Sequence, residues 1–247
     1  MKKAILLGLL VSIVAVGCKQ KHSDVAVASP NYAQLLGQHM DEQAKAGFSG
    51  TVLVTKNNQV LLEKGYGLAN REANIPNTPA TKFMIASVSK QFTAACILQL
   101  VEAGKLSLDD KLNKFSSTFP RANEVTIHML LNHTSGIKNY TDQKFFEINA
   151  GAQSFSKEAM VAYIQRLGYD FEPGAKFSYS NTGYVLLGWI IEQVSGMPYS
   201  KYVQAHIFDK LGMKNSGCSV LGKLADGAKG YSKEVVAGDE LCREWEF

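Results

Sequence analysis

The feature that most constrains the fold is a long apolar helical run at residues 87–103, which begins at Ser87-Val88-Ser89-Lys90. Its few polar positions include Lys90, Gln91, Gln99 and Glu102. A helix that is apolar on most of its sides lies buried at the centre of a domain. We therefore expect this helix to organise the core and to carry Ser87 at its N-terminus.

The remaining pattern predicts an α+β protein. A hairpin is expected from residues 48–55 and 59–66, which are β-rich and flank Lys56-Asn57-Asn58. Helices are expected at residues 31–46, 87–103, 107–117, 126–133, 156–167, 182–195 and 199–211. Residues 68–86 contain several turn formers and are predicted to be a loop. The architecture is thus an early β-hairpin followed by a mostly helical region.

The N-terminus is typical of an export signal. Residues 1–17 have a basic start and a short apolar stretch, and Ala15-Val16-Gly17-Cys18 is similar to a bacterial lipobox. This pattern predicts a signal peptide, a lipidated Cys18 with a tether over residues 18–30, and a domain over residues 31–247. The protein is then a periplasmic or cell-surface lipoprotein on a bacterial membrane. The alternative is a plain signal peptide that contains a cysteine.

Charge and cysteine content exclude several classes of function. Without residues 1–17, 24 basic residues face 22 acidic ones, a balance that does not favour nucleic acid. Neither CxxC nor HExxH occurs, so we expect no metal site and no cofactor. Cys96 is predicted to be a core residue, and a disulfide between Cys218 and Cys242 stays open.

Three Ser-x-x-Lys matches occur: Ser87/Lys90, Ser135/Lys138 and Ser154/Lys157. Only Ser87 opens a long buried helix, where residues three apart lie on one face, so that the Lys90 amine can reach the Ser87 hydroxyl. Burial and the positive helix N-terminus disfavour the charged ammonium, which would let Lys90 act as a base. The alternative is that Ser87 caps a core helix while Lys90 extends to solvent.

A second motif, Tyr179-Ser180-Asn181, precedes another apolar helix. A tyrosine beside a lysine can exchange a proton with a leaving group, and an asparagine can orient Lys90 and a substrate amide. Alternatively, Tyr179 is an ordinary packing aromatic. His133 and Ser135 suggest a Ser–His pair, but we favour a structural role in which His133 bonds to the backbone at a helix end.

Together, these motifs resemble the β-lactamase and penicillin-binding-protein superfamily of serine hydrolases, in particular the branch of class C β-lactamases, D-alanyl-D-alanine carboxypeptidases and related esterases. The similarity covers about residues 31–232. It implies the β-lactamase/transpeptidase-like fold, with Ser87 as the acylated nucleophile, Lys90 and Tyr179 as its acid/base partners, and Asn181 contacting Lys90 and substrate.

The family's third motif, Lys-Thr-Gly or His-X-Gly on a late strand, is not found after Tyr179. We therefore expect the final strands to be missing and the chain to be incomplete. The leading hypothesis is a serine hydrolase that acts through an acyl-enzyme on amide, ester or β-lactam carbonyls. The alternatives are a penicillin-binding or sensor protein without turnover, and an inactive fragment. The substrate, whether a β-lactam, a muropeptide, a D-amino-acid peptide or an ester, stays open.

Overall fold

A computed structural model describes residues 31–142, 156–218 and 227–231 of the chain. The predicted signal segment, Cys18 and its tether, Ser154 and Cys242 lie outside these residues. The question of a disulfide between Cys218 and Cys242 therefore stays open. Within the described ranges, no helix is both long enough and apolar enough to span a bilayer.

The N-terminal part is a helix packed on a β-hairpin. Helix α1 (Tyr32–Lys45) begins at Asn31, whose side-chain oxygen accepts a hydrogen bond from the backbone N–H of Gln34 at 3.2 Å. This contact satisfies one of the N–H groups that a helix start leaves unpaired. Strands β1 (Gly50–Lys56) and β2 (Gln59–Tyr66) pair antiparallel, and α1 packs against β2.

The turn between these strands explains their register. Asn57 and Asn58 have φ values of +51° and +61°. A tight type I′ hairpin turn needs positive φ at both central residues, which asparagine tolerates. The predicted hairpin is confirmed. The stretch expected to be a loop contains a further short antiparallel pair, β3 (Leu68–Asn70) and β4 (Ile75–Pro76).

Asn77 ties the two β pairs together from a buried position. Its side-chain Nδ2 donates to the Tyr66 carbonyl at 2.8 Å and to the Ser49 hydroxyl at 3.0 Å, and its backbone N–H donates to the Gly67 carbonyl at 3.0 Å. Gly65 lies directly against this residue, because a Cβ at position 65 would be 2.0 Å from the Asn77 carbonyl oxygen. Only glycine fits there without a backbone shift.

The rest of the described chain is mainly helical. Its α-helices are α2 (Lys90–Glu102), α3 (Ile127–Leu131), α4 (Lys157–Leu167), α5 (Asn181–Ser195) and α6 (Tyr199–Val203). One π-helical turn, Gln204–Phe208, continues α6, and 3-10 turns occur at Ala86–Ser89, Leu112–Lys114 and Tyr140–Asp142. Predicted helices at 31–46, 156–167 and 182–195 are confirmed to within one or two residues.

Helix α5 is the centre of the core. Leu186, Leu187, Ile190 and Ile191 on this helix are fully buried, and α5 packs against α2, α3, α4 and α6. Burying one such side chain contributes about 1.5–3 kcal/mol. Helix α2 adds Cys96, which is fully buried as predicted. The same packing brings the first residues of α2 and α5 together.

Two predicted helices are wrong in part. The run at 87–103 opens with a 3-10 turn, and Val88 and Leu98 are 58% and 50% exposed, so this helix is buried on one side only. The helix predicted at 107–117 is a single 3-10 turn. In this segment the Asp110 side chain accepts a hydrogen bond from the Ser107 N–H at 2.9 Å. The Leu112 N–H donates to the carbonyl oxygen of Val125, a residue outside the segment, and not to a carbonyl one helical turn earlier.

A Gly65→Ala substitution is expected to lower the free energy of unfolding by about 1–3 kcal/mol, because the new methyl group overlaps backbone atoms that cannot move independently. The measurement is the urea midpoint at an unchanged m-value. Gly37→Ala is the matched control: position 37 is in α1, and nothing lies within 4 Å of a Cβ built there. Equal stability of the two variants would contradict the close approach of Gly65 to Asn77.

Candidate active site

Ser87 is presented on a strained turn. It belongs to the 3-10 turn that precedes α2, and the residue before it, Ala86, has a φ of +43°. This left-handed conformation costs an L-residue about 1–2 kcal/mol. The turn leaves Ser87 exposed, with its hydroxyl directed toward Lys90 and Tyr179.

The structure brings Ser87, Lys90 and Tyr179 together. The Tyr179 hydroxyl donates to Ser87 Oγ at 2.7 Å, and Lys90 Nζ donates to the same oxygen at 3.3 Å. Lys90 also lies 5.0 Å from the centroid of the Tyr179 ring. Residues 92 positions apart in the chain thus share one hydrogen-bonded cluster. Because both members of the short contact are hydroxyls, this bond can also carry the Ser87 proton to an ionised Tyr179.

Asn181 is the first residue of α5 and fixes Lys90. Its Oδ1 accepts from Lys90 Nζ at 2.8 Å. Its Nδ2 donates to Thr141 Oγ1 at 3.2 Å, and its backbone N–H donates to Asn139 Oδ1 at 2.9 Å. The contact with Thr141 orients the amide so that its oxygen, and not its nitrogen, faces the lysine.

Sequence reasoning missed Asn139 and Thr141. They lie in and beside the 3-10 turn Tyr140–Asp142, and Asn139 Nδ2 donates to Thr141 Oγ1 at 2.6 Å. The turn is held against α5 by Thr182, whose hydroxyl donates to the Lys138 carbonyl at 2.8 Å. The signal that could have found them is the group of polar residues Asn139, Thr141 and Asp142, just after the Leu130–Ile137 stretch.

The electrostatics of the cluster lower the pKa of Tyr179. Partial burial acts to raise the pKa of Tyr179, but hydrogen bonds with Lys90 and Ser87 and the charge of Lys90 outweigh it. The pKa of Tyr179 therefore lies below its ordinary value. A lowered pKa makes the phenolate, which is the basic form, accessible closer to neutral pH.

An oxyanion donor is also present. In the described part of the chain, the backbone N–H of Ser87 has no hydrogen-bond acceptor. It lies beside the N-terminus of α2, where the helix dipole favours negative charge. This N–H can therefore stabilise an oxygen anion that forms next to Ser87 Oγ.

Among the described residues, the other sequence candidates make no hydrogen bond to Ser87 Oγ. Ser135 is buried, and its hydroxyl accepts from the Ile137 N–H at 3.4 Å, so it forms no pair with His133. His133 instead accepts from the Ser180 N–H at 3.1 Å, a backbone contact of the predicted kind. Lys157 pairs with Glu192. Within the described ranges, no three His, Cys, Asp or Glu side chains are grouped as metal ligands would be.

Residues 32–242 match the family model described as Beta-lactamase. The chain is 32% identical over 197 residues to the putative penicillin-binding protein PbpX of Bacillus subtilis, a match that covers 80% of this chain and 47% of PbpX. The chain therefore spans about half the length of this curated relative.

Two solved structures are similar as well. A penicillin-binding protein from Bacillus halodurans has a TM-score of 0.67 at 38% identity, over 77% of this chain and 60% of that one. The D-amino acid amidase from Ochrobactrum anthropi SV3 complexed with D-phenylalanine has a TM-score of 0.71 at 28% identity, over 88% of this chain and 62% of that one. The transpeptidase/β-lactamase-like fold expected from the sequence is thus confirmed. The fold, the sequence motifs and the family-model match over residues 32–242 agree, and the chain therefore belongs to the Beta-lactamase family.

Proposed function

We propose that the protein is a serine hydrolase that forms an acyl-enzyme on Ser87 and acts on amide, ester or β-lactam carbonyls. The observation that carries this proposal is the double contact at Ser87 Oγ, 2.7 Å from the Tyr179 hydroxyl and 3.3 Å from Lys90 Nζ. Membership of the Beta-lactamase family and the likeness to a D-amino acid amidase support the same reaction class.

Acylation begins with proton transfer along the short contact. The Tyr179 phenolate takes the proton of Ser87 as Oγ attacks the substrate carbonyl carbon, and a tetrahedral intermediate forms. Its oxyanion accepts a hydrogen bond from the Ser87 backbone N–H. The bond between the carbonyl carbon and the leaving nitrogen or oxygen then breaks. Tyr179 returns its proton to the leaving group, and Ser87 is left as an ester.

Lys90 supplies the positive charge that offsets the negative charges formed during these steps. As an ammonium it stabilises the phenolate of Tyr179 and the developing charge on Ser87 Oγ. Asn181 keeps the ammonium in place through its 2.8 Å hydrogen bond. An uncharged Lys90 could instead take the serine proton itself, and the geometry allows either residue to do so.

Deacylation repeats the chemistry with water. Tyr179 removes a proton from a water molecule as the water oxygen attacks the ester carbonyl, and the bond to Ser87 Oγ breaks as that oxygen regains a proton. A penicillin-binding protein that stops before this step is the second candidate function. The likeness to the putative penicillin-binding protein PbpX favours it, because that protein is named for binding and not for turnover.

We also propose that the protein is exported and attached to a bacterial membrane through a lipid on Cys18. The support is the sequence of residues 1–18, in which a basic start and a short apolar stretch precede Ala15-Val16-Gly17-Cys18. On this proposal the hydrolase domain works at the cell envelope, on a small-molecule or peptidoglycan-peptide substrate. Nucleic acid is not an expected partner.

Ser87→Ala is expected to abolish covalent labelling by a labelled penicillin, because the hydroxyl that the proposal assigns as the acylated group is removed. Mass spectrometry measures the label and its position. Ser89→Ala is the matched control, since Ser89 is on the same turn and its side chain makes no capping hydrogen bond. Label that clears with time indicates a hydrolase, and persistent label indicates a binder without turnover. Unchanged labelling of Ser87→Ala would disprove the choice of nucleophile.

Tyr179→Phe is expected to slow acylation about 10²–10⁴-fold, the range typical of losing a general acid–base group. The change keeps the ring and removes one oxygen, so the fold should persist. The measurement is the second-order rate constant of labelling, with Tyr32→Phe on α1 as the control. A Tyr179→Phe rate within about twofold of wild type would assign the proton transfer to Lys90 alone.

Cys18→Ser is expected to prevent incorporation of radiolabelled palmitate when the chain is expressed in a bacterium, because thioether lipidation requires the thiol. Cys96→Ala should keep the label, since Cys96 is fully buried in the core. Palmitate retained by Cys18→Ser, or an unlabelled wild-type protein, would rule out the lipid anchor.

A further inference from the structure

His133 is anchored to the chain on both sides of Tyr179. It follows α3 with a φ of +62°, so the backbone turns and directs its side chain toward the loop before α5. Its carbonyl oxygen accepts from the Ser178 N–H at 2.9 Å, and its ring nitrogen Nδ1 accepts from the Ser180 N–H at 3.1 Å. The residues immediately before and after Tyr179 are therefore both held by His133.

The imidazole ring also packs on the tyrosine itself. The ring centroids of His133 and Tyr179 are 4.6 Å apart, with an angle of 37° between the planes. Tyr184 packs on the same imidazole at 5.2 Å and Phe177 meets it edge-on at 5.8 Å. Because Tyr179 is 44% exposed, it has few neighbours that could fix its orientation, and His133 is one of them.

The hydrogen bond that Nδ1 accepts from the Ser180 N–H requires a neutral histidine. Nδ1 can accept a hydrogen bond only while it lacks a proton, since both ring nitrogens of an imidazolium are donors. Among the described residues, the titratable groups facing the ring are Lys90 on α2, Tyr179 in the loop and Tyr184 on α5. None is a carboxylate that would stabilise a positive charge. Partial burial and then the charge of Lys90 lower the pKa of His133 below its ordinary value.

We propose that His133 is a positioning residue for Tyr179: its neutral form holds the Tyr179 hydroxyl on Ser87 Oγ, and its protonation releases that hydroxyl and slows acylation. The proposal rests on the proposed function for its kinetic consequence. On protonation, Nδ1 and the Ser180 N–H become two donors facing each other, and a second cation appears near Lys90. The loop that carries Tyr179 then loses one of its two anchors on His133.

Two substitutions separate the hydrogen bond at His133 Nδ1 from the packing of the imidazole ring on Tyr179. His133→Asn keeps a side-chain oxygen that can accept from the Ser180 N–H, tolerates the left-handed backbone and cannot titrate in this range. His133→Phe keeps a ring but offers no acceptor. His128→Asn is the matched control, because His128 is an exposed histidine on α3. The readout is the second-order rate constant for labelling by a penicillin from about pH 4.5 to about pH 9, across the range in which histidine titrates.

Wild type and His128→Asn are expected to lose acylation on the acid side, in a limb below about pH 6.5, the unperturbed histidine value. In His133→Asn this limb should disappear or move down by about one pH unit or more, while the neutral rate stays within about tenfold of wild type. His133→Phe should be about 5–150-fold slower at all pH values, the range for an unsatisfied buried donor. An unchanged acid limb in His133→Asn, or a folded His133→Phe with the wild-type rate, would overturn the proposal.

NMR titration of the wild-type protein tests the geometry without any substitution and without labelling. The Tyr179 ring resonances should shift with the same midpoint as the His133 ring, and that midpoint should match the acid limb. Tyr179 resonances that do not shift as His133 titrates would refute the positioning role. Because this measurement uses the wild-type protein, it stands even if a variant fails to fold. Absence of labelling in wild type with coupled resonances would instead count against the proposed hydrolase function and leave the link between His133 and Tyr179 standing.

Discussion

The packing of α2 against α5 is the constraint on which the site depends. Each helix begins at the site, α2 with Lys90 and α5 with Asn181, and the 2.8 Å hydrogen bond between them joins the two starts. Fully buried aliphatic side chains along both helices set this crossing, so the core determines the spacing of the polar groups. The contact between Ser87 and Tyr179 therefore depends on hydrophobic packing, because residues 92 positions apart in the chain come together only when the two helices pack.

Around this crossing, loops supply the remaining precision. The 3-10 turn Tyr140–Asp142 orients the Asn181 amide through Thr141, and the residue after α3 holds the loop that carries Tyr179. Thr182, on the first turn of α5, links that helix to the Lys138 carbonyl. The Tyr140–Asp142 turn is thus bonded to the start of α5, and the loop that carries Tyr179 is bonded to the residue after α3. These contacts orient polar groups on segments that have no regular structure of their own.

The sequence predicted the parts whose signals are local. Asn57 and Asn58 between β-rich runs indicated the hairpin, and the helical pattern of residues 156–167 indicated α4. The helix predicted at residues 107–117 was wrong because the backbone hydrogen bonds of this segment run to Val125 and residues beyond it. A periodic pattern within the segment cannot indicate such partners. The long apolar helix that follows Ser87 indicated which of the three Ser-x-x-Lys matches to choose. The sequence shows the polar group that contains Asn139 and Thr141 but not their bonding partners, since a polar loop residue gains a partner only once distant helices have packed.

The left-handed Ala86 has a consequence for how the protein responds to heat. That conformation persists only while the neighbouring helix is docked, because nothing in the residue itself favours it. The turn at Ala86–Ser89 has no buried residue, whereas the following helix is anchored by Cys96, Ile97 and Leu100. Segments with few buried contacts open at lower free energy than the core they adjoin. Heating should therefore first relax the backbone around Ser87, at temperatures where the helical signal of the domain is still intact.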